Sequence, residues 1–213
     1  MPGTIYIPER HLETDRALIL DFVEEFSFAM LVTGAPSVQI TNLPTVLDRA
    51  GAGKVWFHLA KANPQNQALQ GEVVLVFHGP HGYVSPNWYQ PASAVPTWNF
   101  ATVHLSGRPR RIDDDALVAQ GLRRLVQKNE SLYAGGAQRW SLDKMPDSYL
   151  RGMRQGIIAY EMPIERVEAK FKLGQERTAV DREGVLMGLA NGPKERGLHA
   201  LTKDYYQKRK ARG

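Results

Sequence analysis

Residues 58–65 combine residue types that favour the binding of an anion. Asn63 is a favourable helix N-cap, and Pro64 suits the first helical position, where its missing N–H is not needed. A helix that begins there directs its free N–H groups and its positive dipole end outward, and Lys61 adds a full positive charge beside them. The segment therefore predicts a phosphate-binding site. A capped surface helix with a solvated lysine is the alternative interpretation.

Two further segments predict a flat ligand with polar edges. Trp98 offers a large aromatic face beside the amide of Asn99, which can donate and accept hydrogen bonds and so suits a heteroaromatic ring. Residues 170–177 alternate cations with apolar side chains, so a strand there would place Lys170 and Lys172 on one face. Together with residues 58–65, these segments predict a pocket for a planar anion.

These three segments and two others resemble the PaiB family of FMN-binding proteins, which are described as negative transcriptional regulators. The resemblance runs in order from about residue 5 to about residue 190. It implies an α+β, mainly β fold, namely a split β-barrel of the flavin-reductase and pyridoxamine-oxidase type with peripheral helices. It also implies FMN as the cofactor and a homodimer with FMN near the subunit interface. The matching segments are Ile5–Pro8, His58–Gln65, Gly79–Pro86 with Trp88 and Tyr89, Val95–Asn99, and Lys170–Leu173.

The motifs and the resemblance together give ten candidate cofactor-binding residues. Lys61 is expected to neutralise the phosphate, helped by a lysine of residues 170–172. Trp98 is expected to line the flavin ring or to contact it from the second subunit, and Asn99 or Gln175 to bond its polar edge. The ten candidates are His58, Leu59, Lys61, Asn63, Gln65, Trp98, Asn99, Lys170, Lys172 and Gln175.

Three positions depart from the family pattern. Asn42 stands where the family usually carries His, and Gly174 and Glu176 stand where it carries Ser and Asn. A glycine has no hydroxyl to offer a phosphate, and a carboxylate repels one. Residues 174 and 176 are therefore not counted among the phosphate contacts, although Gln175 between them is kept.

The composition predicts a cytoplasmic protein with a single main domain. The 213 residues include no cysteine, which excludes disulfides, thiolate zinc sites and cysteine nucleophiles. The N-terminus carries charged residues instead of an apolar signal core, and no apolar stretch approaches the roughly 20 residues that span a membrane. The predicted organisation is one split-barrel domain over residues 1–213, with a helical insertion at 114–154 and a basic tail at 193–213.

The net charge of +5 leaves direct DNA binding open. Part of the excess lies in the tail, which could attract nucleic acid through the release of counterions. A solvated helix end is the alternative for such a lysine-rich terminus. The rest of the chain has mixed charge, without a helix-turn-helix pattern, zinc-finger spacing or RNA-motif aromatics.

The histidines give no prediction of a metal site. His78 and His81 are spaced three residues apart, but the intervening Gly79-Pro80 prevents them from facing each other on a helix, and no carboxylate lies nearby in the sequence. Haem binding, as in some split-barrel proteins, is a third hypothesis behind flavin, because no histidine is clearly placed as an axial ligand.

Two function classes stay open at this stage. The first is the FMN-binding transcriptional regulator that the resemblance implies, acting on DNA directly or through a partner. The second is an FMN-dependent oxidoreductase acting on a small molecule. A flavin carries the redox chemistry itself, so the lack of a catalytic triad or acid–base pair does not separate the two. No catalytic residue is therefore assigned.

Periodicity and turn residues predict strands that alternate with a few amphipathic helices. The expected helices are 14–26, 64–70, 113–129, one from Pro146, and 178–190; the expected strands are 28–33, 37–47, 54–59, 72–77, 98–112 and 156–162.

Overall fold

The computed structural model describes residues 3–34, 37–90, 95–134, 139–192 and 196–210. The strands are β1 (Phe28–Thr33), β2 (Gln39–Pro44), β3 (Val46–Asp48), β4 (Lys54–Ala60), β5 (Val73–Val84), β6 (Thr97–Gly107), β7 (Arg110–Ile112), β8 (Ile157–Pro163) and β9 (Arg166–Lys172). The α-helices are α1 (Arg16–Glu25), α2 (Asp115–Tyr133), α3 (Asp147–Gln155), α4 (Ala179–Asn191) and α5 (Arg196–Lys210). Short 3₁₀ helices span Glu9–His11, Pro64–Ala68, Pro86–Trp88 and Leu142–Lys144.

The strands form two sheets, as an α+β split barrel requires. The larger sheet has the order β2-β1-β5-β6-β9, and the smaller has the order β3-β4-β8-β7. The pairings of β1 with β2 and β5, of β3 with β4, and of β8 with β4 and β7 are all antiparallel. The predicted fold class is confirmed.

The chain divides by its contacts into two compact units. Unit 1 comprises the described residues of 1–22, 78–103 and 168–213, and unit 2 those of 23–77 and 104–167. Both β5 and β6 run from one unit into the other. The single-domain organisation expected from the sequence stays a prediction.

Unit 2 packs α2 against the smaller sheet. Trp56 of β4 is buried in a cluster with Val118 and Leu125 of α2. The helix approaches closely because it carries Gly121 at the contact: a Cβ atom on this residue would lie 2.2 Å from the Trp56 ring. The packing of α2 on the smaller sheet therefore depends on a glycine at position 121, opposite the large side chain of Trp56.

Unit 1 packs aromatic side chains against its helices. Phe171 of β9 lies between Phe22 and Tyr205, with ring centroids 5.2 and 5.3 Å away. In α4, Gly188 lies against Trp88, and a Cβ atom on this glycine would come within 2.2 Å of the indole. These contacts tie α4 and α5 to the rest of unit 1.

Capping residues place most helix starts where the sequence predicts them. Asp114 caps α2 and Thr178 caps α4, each by accepting backbone hydrogen bonds with its side chain. The first helix differs from the expectation, since Asp15 and not Thr14 accepts the N–H of Ala17, at 2.9 Å. The helix therefore begins at Arg16, with Asp15 as its cap and Thr14 outside it.

Some strands and the tail also differ from the expectation. The expected strand 72–77 is only the first half of β5, which continues through Gly79-Pro80. The expected strand 98–112 divides into β6 and β7 at Pro109, which cannot donate to a sheet ladder. The basic tail contains α5, which buries Leu198 and Tyr205; residues 193–195 and 211–213 of the predicted tail lie outside the described residues. Within the part of the chain that the structure describes, no helix is long and apolar enough to cross a membrane.

Candidate functional site

In unit 2, residues 58–65 fold as the sequence predicts, with one difference of consequence. Asn63 caps the helix by accepting the N–H of Gln65 at 2.9 Å, and Pro64 takes the first helical position. The helix is a 3₁₀ helix that ends at Ala68 instead of Gln70. A helix of five residues has few aligned peptide groups, so its dipole adds little, and Lys61 remains the main source of positive charge in this segment.

Gln65 uses its side chain to hold unit 2 together. It is 1% exposed, its Oε1 accepts from the Thr41 hydroxyl at 2.6 Å, and its Nε2 donates to the carbonyls of Leu31 and Gln39, both at 3.1 Å. Both polar atoms of the side chain are therefore engaged inside the protein. A contact between Gln65 and a ligand would have to come from its backbone.

Asn66, which the sequence did not single out, fixes the loop that carries Lys61. Its Nδ2 donates to the carbonyls of Ala60 and Asn63, at 2.9 and 2.8 Å, and its Oδ1 accepts from the Tyr160 hydroxyl at 3.0 Å. The side chain of Lys61 is exposed at the surface of this loop. The loop thus presents a lysine from a well-bonded backbone.

The remaining candidates of unit 2 lie on β4. Leu59 is 2% exposed and points into the core, so only its backbone is available to a ligand. His58 points to the other face, with its ring centroid 5.5 Å from that of Trp56. Burial lowers the pKa of His58, which keeps the imidazole neutral near pH 7.

In unit 1, Trp98 and Asn99 point to opposite faces of β6. Trp98 is 55% exposed, whereas Asn99 is 2% exposed. The Nδ2 atom of Asn99 is buried and has no hydrogen-bond partner among the described residues. Because nearly all buried polar groups are hydrogen-bonded, an unpartnered amide donor indicates a place where a ligand atom can accept.

The turn that follows β9 lies beside this amide. Gly174 has a φ angle of +75°, and a Cβ atom built on it would lie 3.7 Å from Asn99 Nδ2 and from the Arg177 side chain, and 3.5 Å from the Tyr206 hydroxyl. Tyr206 donates to the carbonyl of Leu173 at 2.6 Å. Glycine adopts this left-handed backbone without the steric cost that a side chain would add.

Lys170 and Lys172 are held by neighbouring oxygen atoms of unit 1. Lys170 donates to the carbonyl of Tyr6 at 2.9 Å and lies over the Phe100 ring, 5.4 Å from its centroid. Lys172 is bonded to the hydroxyl of Thr97. Both ammonium groups are therefore fixed in position.

The charges around Lys172 form a cationic cluster, which we define as Arg10, Lys170, Lys172 and Arg177. Burial lowers the pKa of Lys172, the carboxylate of Glu176 raises it, and the other cations of the cluster lower it again. Arg10 and Arg177 are members that the sequence motifs did not reveal. Such a concentration of positive charge attracts an anion.

Gln175 is used inside unit 1, much as Gln65 is used inside unit 2. Its Oε1 accepts the N–H of Leu173 at 2.9 Å, and its Nε2 donates to the carbonyls of Arg10 and Phe171, at 3.0 and 2.5 Å. The expected bond from Gln175 to the flavin edge stays a prediction that the observed side-chain bonds do not favour. Asn99 is the better donor.

The residues present fit a flavin nucleotide. Among its described residues, unit 1 has an unpartnered buried amide, an exposed indole face and a cationic cluster. These features match the hydrogen-bonding edge, the flat ring and the phosphate of such a ligand. Five of the ten candidates lie in unit 1, and the other five, including Lys61 on its fixed loop, lie in unit 2.

Comparison with known proteins gives the family. A family model described as "Putative FMN-binding domain" matches residues 5–166. The chain is 30% identical, over 210 residues, to the protein "Protease synthase and sporulation protein PAI 2" of Bacillus subtilis, and the match covers 96% of this chain and 99% of that protein. An uncharacterized protein of Aspergillus fumigatus is 29% identical over 255 residues, with 91% of this chain and 98% of that protein covered.

Solved structures confirm the fold. The flavocytochrome Anf3 from Azotobacter vinelandii superposes with a TM-score of 0.57 at 19% identity, covering 82% of this chain and 73% of that one. The conserved hypothetical protein Rv2991 from Mycobacterium tuberculosis also superposes with a TM-score of 0.57, at 12% identity, covering 82% of this chain and 96% of that one. Fold and family model together define a split-barrel flavin-binding protein, with FMN as the cofactor. More narrowly, the chain belongs to the PaiB family, as its motifs predict.

We expect Asn99→Leu to weaken FMN binding by about tenfold, because the ring edge loses a buried donor worth ~1.4 kcal/mol. The free energy of unfolding of the flavin-free protein should stay within about 1 kcal/mol of wild type, since the replaced amide donor has no partner to lose. Flavin fluorescence titration and urea unfolding measure the two quantities. Thr202→Val is the matched control, because it removes another unpartnered buried polar atom of unit 1. An unchanged FMN affinity in Asn99→Leu would contradict the assignment.

We expect Lys61→Ala to weaken FMN binding by roughly 10- to 100-fold and to leave riboflavin binding unchanged, because only FMN carries the phosphate that the lysine is expected to neutralise. Titration of both ligands at two salt concentrations measures this difference. Lys144→Ala, which removes another exposed lysine of unit 2, should change neither affinity. Equal losses for FMN and riboflavin would place Lys61 away from the phosphate.

Proposed function

We propose that this protein is an FMN-dependent negative regulator of transcription, of the PaiB type. The observation that supports the regulatory role is the match over 99% of a relative whose name refers to protease synthesis and sporulation. The observation that supports flavin dependence is the unpartnered amide of Asn99 beside a cationic cluster. A cytoplasmic location, in keeping with the cysteine-free sequence, belongs to the same proposal.

In this proposal each residue has a defined task. Lys61, and Lys170 or Lys172, neutralise the phosphate, while Asn99 donates to the polar edge of the ring. Trp98 packs against the flavin ring bound by a second copy of the chain, because its exposed face points away from the side of β6 that carries the Asn99 amide. When bound, FMN supplies one- or two-electron redox chemistry.

The α5 helix offers limited positive charge to DNA. Lys208 forms ion pairs with Asp204 and Asp21, at 3.0 and 3.9 Å, and Arg209 donates to the hydroxyl of Tyr205 at 2.8 Å. Surface ion pairs lower the net field that a polyanion meets. We therefore propose that repression acts through a partner protein or through the homodimer, and that α5 alone is insufficient.

An exposed apolar face in unit 2 supports the homodimer. Phe28 is 68%, Val38 69% and Ile40 58% exposed, and Ile40 pairs with Val32 of β1 across the edge of the larger sheet. An apolar surface of this kind on a sheet marks a site of association. A second copy of the chain would remove these side chains from water.

FMN-dependent oxidation or reduction of a small molecule is the second candidate. A groove of about 930 Å³ in unit 1 favours it, since there is room for a substrate beside the turn at Gln175. Arg10 and Arg182 line the groove together with Glu176, so a small charged molecule suits it. A reductase of this type would also require a hydride donor.

The regulatory role predicts a set of transcripts that rises when the gene is deleted from its source strain. Wild-type protein should lower these transcripts again, and Asn99→Leu should fail to do so because it binds FMN weakly. RNA sequencing after induced complementation measures the response, with Thr202→Val as the control. Unchanged transcripts, together with NADH or NADPH consumption by the purified protein, would support the oxidoreductase instead.

The homodimer predicts a mass of about twice the chain mass, measured by sedimentation equilibrium at micromolar concentration. Ile40→Lys should convert the dimer to monomer, because it would bury an unpaired charge at the interface. Leu132→Lys, at a residue 55% exposed on α2, should leave the dimer intact. A wild-type protein that sediments as an FMN-loaded monomer would contradict the proposal.

A further inference from the structure

The strand β5 contains a break that brings two histidines to the same face. From Val73 to Gly79, every second residue of the strand is buried. This alternation is interrupted at Pro80 and His81, and it resumes at Gly82. Residues three apart on a regular strand point to opposite faces, yet His78 and His81 are both exposed. One extra residue at the break shifts the alternation, as in a β-bulge.

Glycine at position 79 makes this break compatible with the core. A Cβ atom on Gly79 would lie 2.8 Å from the ring of Phe22, so a larger residue would push the strand outward. The strand can therefore turn its backbone inward at Gly79 while the two flanking histidines stay outside.

The two imidazoles are close and one of them is fixed. Their ring centroids are 5.2 Å apart, and the ring planes cross at 80°. The Nδ1 atom of His78 lies 2.8 Å from the carbonyl oxygen of Gly79. Since a carbonyl can only accept, Nδ1 carries the hydrogen, and in the neutral ring Nε2 keeps its lone pair. Histidines that bind metals are oriented in this way by a backbone carbonyl.

We propose that His78 and His81 together bind one divalent transition-metal ion of the zinc and copper class through their ring nitrogens. Metal–nitrogen bonds of about 2.0–2.1 Å place each ring centroid about 3.2 Å from the ion, so two rings at a near-tetrahedral angle stand about 5 Å apart. The observed separation of 5.2 Å matches this requirement.

The surroundings decide which ion suits the site. The His78 ring lies nearly parallel to that of Phe100, at 8° and 6.5 Å, and His81 lies 6.2 Å from Trp98. Imidazole donors without carboxylates favour zinc and copper over magnesium and calcium. The ammonium of Lys170 lies over the same Phe100 ring, 5.4 Å from its centroid. This nearby positive charge repels a dication and so limits the affinity of the site for the metal ion.

The coordination shell is left open for other donors. Among residues 3–34, 37–90, 95–134, 139–192 and 196–210, no group of three or more His, Cys, Asp or Glu side chains could hold a metal. Two positions of a four-coordinate ion would therefore be filled by water or by a ligand from outside the chain. Neither FMN binding nor the proposed regulatory role is needed to infer this site.

Titration of the untagged full-length protein with Cu²⁺ and with Zn²⁺ tests the proposal. We expect one ion per chain, and a loss of affinity of about tenfold or more in His78→Ala and in His81→Ala. His199→Ala, which removes a partly exposed histidine of α5 in the same unit, should leave the affinity unchanged. Circular dichroism confirms that the variants fold, as expected for exposed side chains.

Electron paramagnetic resonance of the Cu²⁺-loaded protein counts the nitrogen ligands directly. The wild type should show coupling to two imidazole nitrogens, and each single variant coupling to one. The double variant His78→Ala/His81→Ala should lose the site. The proposal would be overturned if wild type bound the ion no better than this double variant, or if the single variants lost no more affinity than His199→Ala.

Discussion

The alternation of side chains along a β-strand is the constraint on which the site in unit 1 depends. It sends Trp98 outward and Asn99 inward from adjacent positions of β6, so a flat ring lying on one face of the strand contacts only one of them. In the proposed homodimer the indole is then available to the flavin of a second copy, while the amide faces the flavin bound by its own chain. In β5 the same constraint is relaxed once, at Gly79-Pro80, and this single break is what brings two imidazoles together.

The surroundings of the three amide side chains distinguish two residues committed to the fold from the one proposed to bind the ligand. Gln65 and Gln175 satisfy several backbone groups each, and a buried backbone group that lost such a partner would cost about 1–3 kcal/mol. These two amides are therefore committed to the fold. Asn99, which is 2% exposed, has a buried donor without a partner among the residues that the structure describes. The contrast is informative because the three residues have the same chemistry and differ only in what surrounds them.

Local patterns in the sequence predict the positions of most strands and helix caps, and the motif resemblance predicts the family and the cofactor. They could not show the role of Gln65, because its partner Thr41 is 24 residues away and the direction of a side chain is set by tertiary packing. The tail illustrates a different failure. Its basic composition predicts a charged, solvated segment. The helical spacing of Leu198 and Tyr205 instead indicates the buried side of α5. The exposure of both His78 and His81 depends on a strand irregularity, which periodicity alone does not predict.

The departure at Glu176 gains a physical meaning from the cationic cluster. Burial and the neighbouring cations both lower the pKa of Lys172, which favours its neutral form. The carboxylate of Glu176 acts in the opposite direction and so helps to keep the ammonium charged. An amide at this position could donate to a phosphate but could not support the charge of Lys172. Glu176 therefore supports the charge of a lysine, and the same negative charge weakens the attraction of the cationic cluster for an anion.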